Sequence, residues 1–173
     1  MAIFDFYPYV NYNNQKSTYI LAKAELIQKY LSDYKKFYTY AVKENERADT
    51  IAYDQYGDST LDWIIYVVND IYDPYYDWPM GYENFIKYLE AKYNTNAYKL
   101  TSTIIPSSIK HYYYKGLDSD SQEDINSYNY TMTYETYNML GQPPGWVPLS
   151  IYDYEDNLNN EKRNIYLIKP AFI

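Results

Sequence analysis

The sequence contains no cysteine, one histidine and five glycines. Without cysteine the chain has no disulfides, no thiolate zinc sites and no thiol nucleophile. Its longest uninterrupted apolar run, residues 63–68, is too short to cross a bilayer. The formal charge of -8, with no cluster of basic residues, argues against a nucleic-acid-binding surface. The first eight residues lack the basic segment of a signal peptide, so we expect a soluble protein that is made inside the cell.

Residues suited to catalysis or metal binding are scarce. The single histidine, His111, is followed by three tyrosines, and neither a nucleophile elbow nor a phosphate-binding loop is present. Residues 118–124 resemble the start of a calcium loop but lack its turn glycine and its late glutamate, which favours a solvated acidic loop. We therefore expect no catalytic residue, metal or cofactor. Carboxylates are numerous enough for a cell-wall hydrolase, but no pattern pairs two of them.

Tyrosine is unusually abundant, at 28 of 173 residues. One explanation is codon bias, because lysine greatly outnumbers arginine and glycine is scarce, as an AT-rich genome would give. The other is function, because tyrosine supplies rigid, amphipathic contact area that suits protein or sugar interfaces. The two explanations are compatible.

The central part of the chain has the clearest secondary-structure pattern. Residues 37–42 are aromatic and β-branched, which predicts a strand. Asp49 or Thr50 is a suitable cap for a helix that runs through Tyr56 and ends at Gly57.

A second and a third helix follow. Asp58, Ser59 or Thr60 is a suitable cap for the second helix. Its apolar residues recur at helical spacing and are Leu61, Ile64, Ile65 and Val68. Residues 82–93 predict the third helix, with a buried stripe formed by Phe85, Ile86 and Leu89.

The two ends of the chain are less regular, and together with the centre they predict an α+β fold. The expected elements there are an extended arm at residues 1–19, a short helix at 21–31, strand segments at 104–114, an acidic loop at 116–124, a weakly alternating stretch at 131–137, a turn at 142–146, a helix-compatible stretch at 154–163 and a strand at 164–168. We expect three parts: an N-terminal arm with a short helix (1–36), a core with a following helix (37–93) and an irregular, β-containing C-terminal extension (94–173).

The order of strand, capped helix, glycine stop, second helix and terminal asparagine resembles a LysM module. The residues that carry this likeness are Ile51, Tyr56, Gly57, Trp63, Asn69 and Asp70. The resemblance implies a small strand–helix–helix core at about residues 37–79, with Trp63 at its edge. LysM modules bind N-acetylglucosamine polymers through the loop before the first helix and the loop after the second. Both loops depart from that pattern here, so peptidoglycan binding is the alternative function.

A longer segment, residues 46–79, resembles the phage baseplate wedge protein 53 family. Its distinctive ending is Asn69-Asp70, then Asp73-Pro74, then Trp78. Residues 4–9 and 154–170 resemble the same family. The resemblance implies a non-enzymatic virion protein of a contractile tail, made in the host cytoplasm, that binds neighbouring wedge proteins and the sheath initiator. It also implies that the protein helps six wedges close into a ring. From composition and motifs we expect no nucleic-acid, membrane or small-molecule partner.

The loop at residues 73–79 is the expected surface for partner binding. Two prolines, Pro74 and Pro79, stiffen it, so little entropy is lost on docking. Its candidate contact residues are Tyr72, Tyr75, Tyr76 and Trp78. Trp78 is equally suited to folding back onto the core. The two arginines, Arg47 and Arg163, are candidates for salt bridges within the fold or across an interface.

Overall fold

The computed structural model describes residues 7–19, 34–115 and 130–173. Within these residues five α-helices accompany seven strands that pair only antiparallel, which confirms the α+β class. The expected helix at 21–31 and the acidic loop at 116–124 lie outside the described residues. The chain forms two compact units, one comprising the described residues up to Met80 with Glu161–Ile173 and the other Gly81–Asn160. The expected three-part division at residues 36 and 93 concerns domains and stays a prediction.

The first unit contains a hairpin and a small α/β core. Its elements are β1 (Tyr9–Tyr12), β2 (Gln15–Thr18), β3 (Phe37–Ala41), α1 (Ala48–Tyr56), α2 (Asp62–Val68) and β7 (Asn164–Ile168). Strands β1 and β2 form an exposed hairpin in the region where an extended arm was expected. Its turn residues, Asn13 and Asn14, have φ values of 51° and 60°. Asparagine tolerates this left-handed backbone better than most residues, so the turn fits a tight hairpin.

The core of the first unit lies between a two-stranded sheet and the two helices. Strand β3 pairs antiparallel with β7, and Ile165 and Leu167 of β7 are buried against Ile51 of α1 and Ile65 of α2. The strand at residues 164–168 is confirmed, as is the one at 37–42 except that it ends at Ala41. The core is therefore completed by the C-terminal strand and not by residues 37–79 alone. Its likeness to a LysM module stays a prediction.

Helix α1 ends at the predicted residue but begins earlier than predicted. Gly57 has a φ of 76° and its N–H donates to the carbonyl of Tyr53, which confirms the glycine stop. The expected cap is wrong, because Arg47 occupies the N-cap position and Asp49 lies within the first turn. Ala48 is buried in the core, and this packing starts the helix before the first residue able to cap it.

Helix α2 is preceded by a short 3₁₀ turn, Ser59–Leu61. Asp58 caps this turn, since its Oδ1 accepts the Thr60 N–H at 2.9 Å. Of the expected apolar stripe, Ile65 is fully buried, whereas Leu61, Ile64 and Val68 are half-buried. The predicted helix is thus confirmed, but Asp58 caps the 3₁₀ turn before it, and the N-cap residue of α2, Leu61, makes no side-chain cap bond.

Asn69 ends α2 and ties it to the C-terminal strand. Its Nδ2 donates to the carbonyls of Ile65 (2.8 Å) and Tyr166 (2.9 Å), and its Oδ1 accepts the Tyr166 N–H at 2.7 Å. The side-chain amide thereby occupies the position that another strand's peptide group would take beside β7.

The second unit combines three helices with a three-stranded sheet. Its elements are α3 (Tyr82–Tyr93), β4 (Ile109–Tyr114), β5 (Thr131–Met132), α4 (Tyr134–Met139), β6 (Trp146–Ser150) and α5 (Ile151–Glu161), and the strand order is β5-β4-β6. Helix α3 has the predicted bounds, with Phe85 and Leu89 buried and Ile86 half-buried. No described helix of either unit has the length and apolarity that crossing a bilayer requires.

Two boundaries in the second unit differ from expectation because of capping. Residues 131–137 are mostly helical, since the Thr133 hydroxyl accepts the Thr136 N–H at 3.3 Å and starts α4. Helix α5 begins at Ile151, three residues before the expected position. There the Ser150 hydroxyl accepts the Asp153 N–H and so caps the helix, and it donates to the Asp153 carboxylate. Residues 104–108 are not a strand, because Pro106 starts a 3₁₀ turn.

A buried carboxylate joins α5 to α3 in the second unit. Glu155 is 5% exposed and accepts hydrogen bonds from Lys92 Nζ at 2.9 Å and from the Tyr93 hydroxyl at 2.6 Å. Burial alone would raise the pKa of Glu155, but these hydrogen bonds outweigh it and hold the pKa below its ordinary value. Burial, followed by the carboxylate, raises the pKa of Tyr93 to about 12, so its hydroxyl remains a donor at neutral pH.

We expect Asn69→Asp to lower the free energy of unfolding by about 1–3 kcal/mol, because a carboxylate cannot donate to the Ile65 and Tyr166 carbonyls. Urea denaturation followed by circular dichroism measures the loss. Asn164→Asp makes the same chemical change at an exposed position of β7 and is expected to cost less than about 0.5 kcal/mol. Equal losses in the two variants would contradict the role of the Asn69 amide.

We expect Glu155→Gln to lower the free energy of unfolding by about 1–3 kcal/mol at neutral pH, because Lys92 loses its charged partner. Since the folded-state pKa of Glu155 lies below its ordinary value, this contribution is complete at neutral pH. It is lost as the pH falls through the folded-state pKa, so the two proteins should converge in acid. Denaturation curves over a pH series test this, with exposed Glu161→Gln on the same helix as the control.

Candidate functional site

The segment after α2, residues 69–79, forms what we call the aromatic loop. Two aspartates brace it from within. Asp77 Oδ2 accepts the N–H groups of Tyr72 (3.2 Å) and Asp73 (3.0 Å), and Asp73 Oδ1 accepts the Tyr75 N–H at 2.9 Å. The Asp77 N–H also donates to the Asp73 carbonyl at 2.7 Å. These bonds satisfy backbone groups that would otherwise need water, so the loop has a defined conformation.

Both ends of the aromatic loop are fixed to the core of the first unit. At its start, Asn69 holds the loop to β7 through the amide bonds described above. Near its end, the Trp78 indole N–H donates to the Glu46 carbonyl at 2.9 Å, and its ring meets Tyr66 edge-on with centroids 5.9 Å apart. Trp78 therefore folds back onto the core, which was one of its two expected positions.

The three tyrosines of the loop point outward. Tyr72 is 64% exposed, Tyr75 84% and Tyr76 58%. Lys162 donates from its ammonium group to the Tyr76 carbonyl, which fixes the backbone beneath these side chains. The loop thus presents three large amphipathic rings from a backbone that is already held in place, an arrangement suited to binding a macromolecular surface.

The two arginines are both paired within the first unit. Arg47 is exposed and forms an ion pair with Asp49 at 2.9 Å. It directly follows Glu46, whose carbonyl accepts the Trp78 indole N–H. Arg163 is mostly covered, and it forms an ion pair with Glu44 and donates to the Val42 carbonyl. Arg163 thereby fastens the start of β7 to the loop that follows β3.

The remaining motif residues have structural positions. Ile51 lies in the core, and Tyr56 packs against it, where burial raises the pKa of its hydroxyl to about 12. Trp63 is half-buried and lies outside that buried cluster. Asp70, with a φ of 53°, and Pro74 are both exposed and shape the turns of the aromatic loop.

The structure offers little support for catalysis. His111 is half-buried on β4, with its ring edge against Tyr154 at a centroid distance of 5.8 Å. Burial, helped by the adjacent Lys110, lowers its pKa, so it is neutral at physiological pH. In the described ranges, no three acidic or histidine side chains converge in a way that could hold a metal ion.

Two residues that build the site, Glu46 and Lys162, were not among the predicted site residues. Glu46 holds the Tyr40 hydroxyl (2.8 Å) and the Lys43 N–H (2.8 Å) with its carboxylate while its carbonyl holds Trp78. Lys162 reaches the loop from the other end of the chain. Charged residues of this kind look like ordinary surface residues until the fold brings their partners close.

Comparison with known proteins shows the family to which the chain belongs. The family model described as base plate wedge protein 53 matches residues 1–171 of the 173-residue chain. A search of curated proteins found no match. Because the family match spans nearly the whole sequence, the chain belongs to the base plate wedge protein 53 family and is a structural component of the phage tail baseplate.

Proposed function

We propose that this protein binds neighbouring wedge subunits through its aromatic loop. The contact would help wedges join into the six-fold ring beneath the tail sheath, next to the sheath initiator. Family membership supports an association with other baseplate components.

The observation that carries the proposal is the combination of exposed tyrosines with a braced backbone. Tyr72, Tyr75 and Tyr76 are all more than half exposed, and bonds from Asp73, Asp77 and Lys162 already fix the backbone around them. A preorganised loop loses less conformational entropy on binding, so more of the contact energy becomes affinity. Tyrosine is also among the residues that dominate the energy of protein interfaces.

Two features favour a protein partner over the alternative, glycan binding. The loop before α1 and the loop after α2 are the two through which LysM modules bind sugar chains. Here Trp78, in the loop after α2, donates its indole N–H to the carbonyl of Glu46, in the loop before α1. Its ring also meets that of Tyr66 edge-on. Trp78 therefore occupies space between the two loops, and the exposed tyrosines lie on the aromatic loop itself. We further propose that the protein has no catalytic activity, which the placement of His111 supports.

We expect Tyr75→Ala to weaken binding to wedge subunits by about 10-fold or more, because the variant removes the most exposed ring of the loop. The measurement is the affinity of the purified protein for a wedge assembled from the other baseplate proteins of the same phage. Thermal unfolding should be unchanged, since the side chain is largely solvated.

Tyr53→Ala is the matched control, because Tyr53 is an exposed tyrosine on α1 and lies outside the aromatic loop. It should bind the wedge as the unmodified chain does. Equal affinities of the two variants would exclude Tyr75 as an anchor. Measurable affinity for chitin oligomers, lost in Tyr75→Ala, would instead favour glycan binding.

A further inference from the structure

The two edges of the β3–β7 sheet differ in whether their outward peptide groups are hydrogen-bonded. On the β7 side, the Asn69 amide bonds both the N–H and the carbonyl of Tyr166. Such a side chain closes the edge to other strands, because the backbone groups that a new strand would need are already used.

The β3 edge has the opposite character. The Val42 N–H donates to the Arg163 carbonyl, and the Lys169 N–H donates to the Lys36 carbonyl, both at 2.8 Å. In an antiparallel ladder, hydrogen-bonded and non-bonded residue pairs alternate. The peptide groups of Tyr38 and Tyr40 therefore also point towards β7. The peptide groups of Thr39 and Ala41 therefore point away from β7. None of the described residues bonds to these outward groups.

Nothing in the sequence of β3 protects this edge. Proteins usually shield exposed edges with prolines, bulges or charged residues within the strand. Strand β3, Phe-Tyr-Thr-Tyr-Ala, has none of them, and its register with β7 is regular over all five positions. Thr39 and Ala41 are exposed to solvent. Among the described residues the edge is thus open, and it is suited to accept a strand.

Charge indicates which strand it accepts. In the antiparallel register that overlaps the whole of β3 with a second copy of β3, Lys35 of each chain lies opposite Lys43 of the other. Both lysines are exposed, and like charges placed opposite each other oppose pairing at both ends. The same two lysines would attract acidic residues that flank an uncharged segment.

We propose that β3 accepts an extended segment of another wedge subunit as an added strand. The segment is uncharged over about five residues, is flanked by acidic side chains and pairs through the Thr39 and Ala41 peptide groups. This inference rests on the proposed role in wedge binding but concerns a different surface, and backbone hydrogen bonds provide the contact.

Amide hydrogen exchange resolved to single residues tests the proposal. In the isolated protein, the Tyr38 and Tyr40 amides should exchange slowly and those of Thr39 and Ala41 quickly. In a wedge assembled with the other baseplate proteins of the same phage, the Thr39 and Ala41 amides should slow by about 10-fold or more. Unchanged exchange in a wedge that contains the protein would overturn the added strand while leaving wedge binding intact. Failure to enter the wedge would instead overturn the proposed function.

Two sets of variants separate strand addition from other contacts. Thr39→Pro removes the outward N–H, whereas Thr39→Val keeps it, so only the proline variant should lose wedge affinity, by about 10-fold or more. Circular dichroism establishes that each variant is folded. If the proline variant does not fold, Lys35→Glu with Lys43→Glu should weaken binding by reversing both flanking charges. Full affinity of the folded variants, or slow exchange at Thr39 caused by dimerisation of the isolated chain, would overturn the proposal.

Discussion

The pairing of β3 with β7 is the constraint on which the first unit depends. Each strand alone would leave its apolar face in water, and a two-stranded sheet needs a packed partner to be stable. The pair buries Ile165 and Leu167 against α1 and α2. Because β7 comes from the end of the chain, the core forms only when residues 37–68 meet residues 164–168. Arg163, at the junction, adds an ion pair to Glu44.

The conformation of the aromatic loop depends on this pairing, because residues in and next to β7 hold the loop in place. Asn69 can hold the start of the loop only because Tyr166 lies beside the end of α2. Lys162, two residues before β7, supports the loop backbone at Tyr76. Trp78 packs against the same core and donates to the Glu46 carbonyl. The loop is thus held by bonds to residues on and around the core, and exposed rings on a backbone held in this way lose little entropy when they bind a partner.

Tyrosine is used in three physically distinct ways, which explains how a chain with so many can fold. Some hydroxyls are half-buried and donate to acidic or amide side chains, as Tyr40 does to Glu46 and Tyr93 to Glu155. Others pack ring on ring, as in the pair formed by Tyr112 and Tyr137 with centroids 4.0 Å apart. Others face solvent, such as Tyr72, Tyr75 and Tyr76 on the aromatic loop. The acidic composition supplies acceptors for the first group, because ionised carboxylates accept hydrogen bonds and donate none.

The sequence by itself determined the elements whose signals are local. Helix α3 and strand β7 have their predicted bounds, and Gly57 ends α1, because side-chain periodicity and a left-handed glycine act within a few residues. The wedge-family signature was also readable, since it is a pattern of residues. Tertiary structure decided the partner of β3, the start of α1 at a buried alanine and the inward position of Trp78. Those outcomes depend on groups far apart in the chain, whose meeting lowers the free energy only once the core has formed.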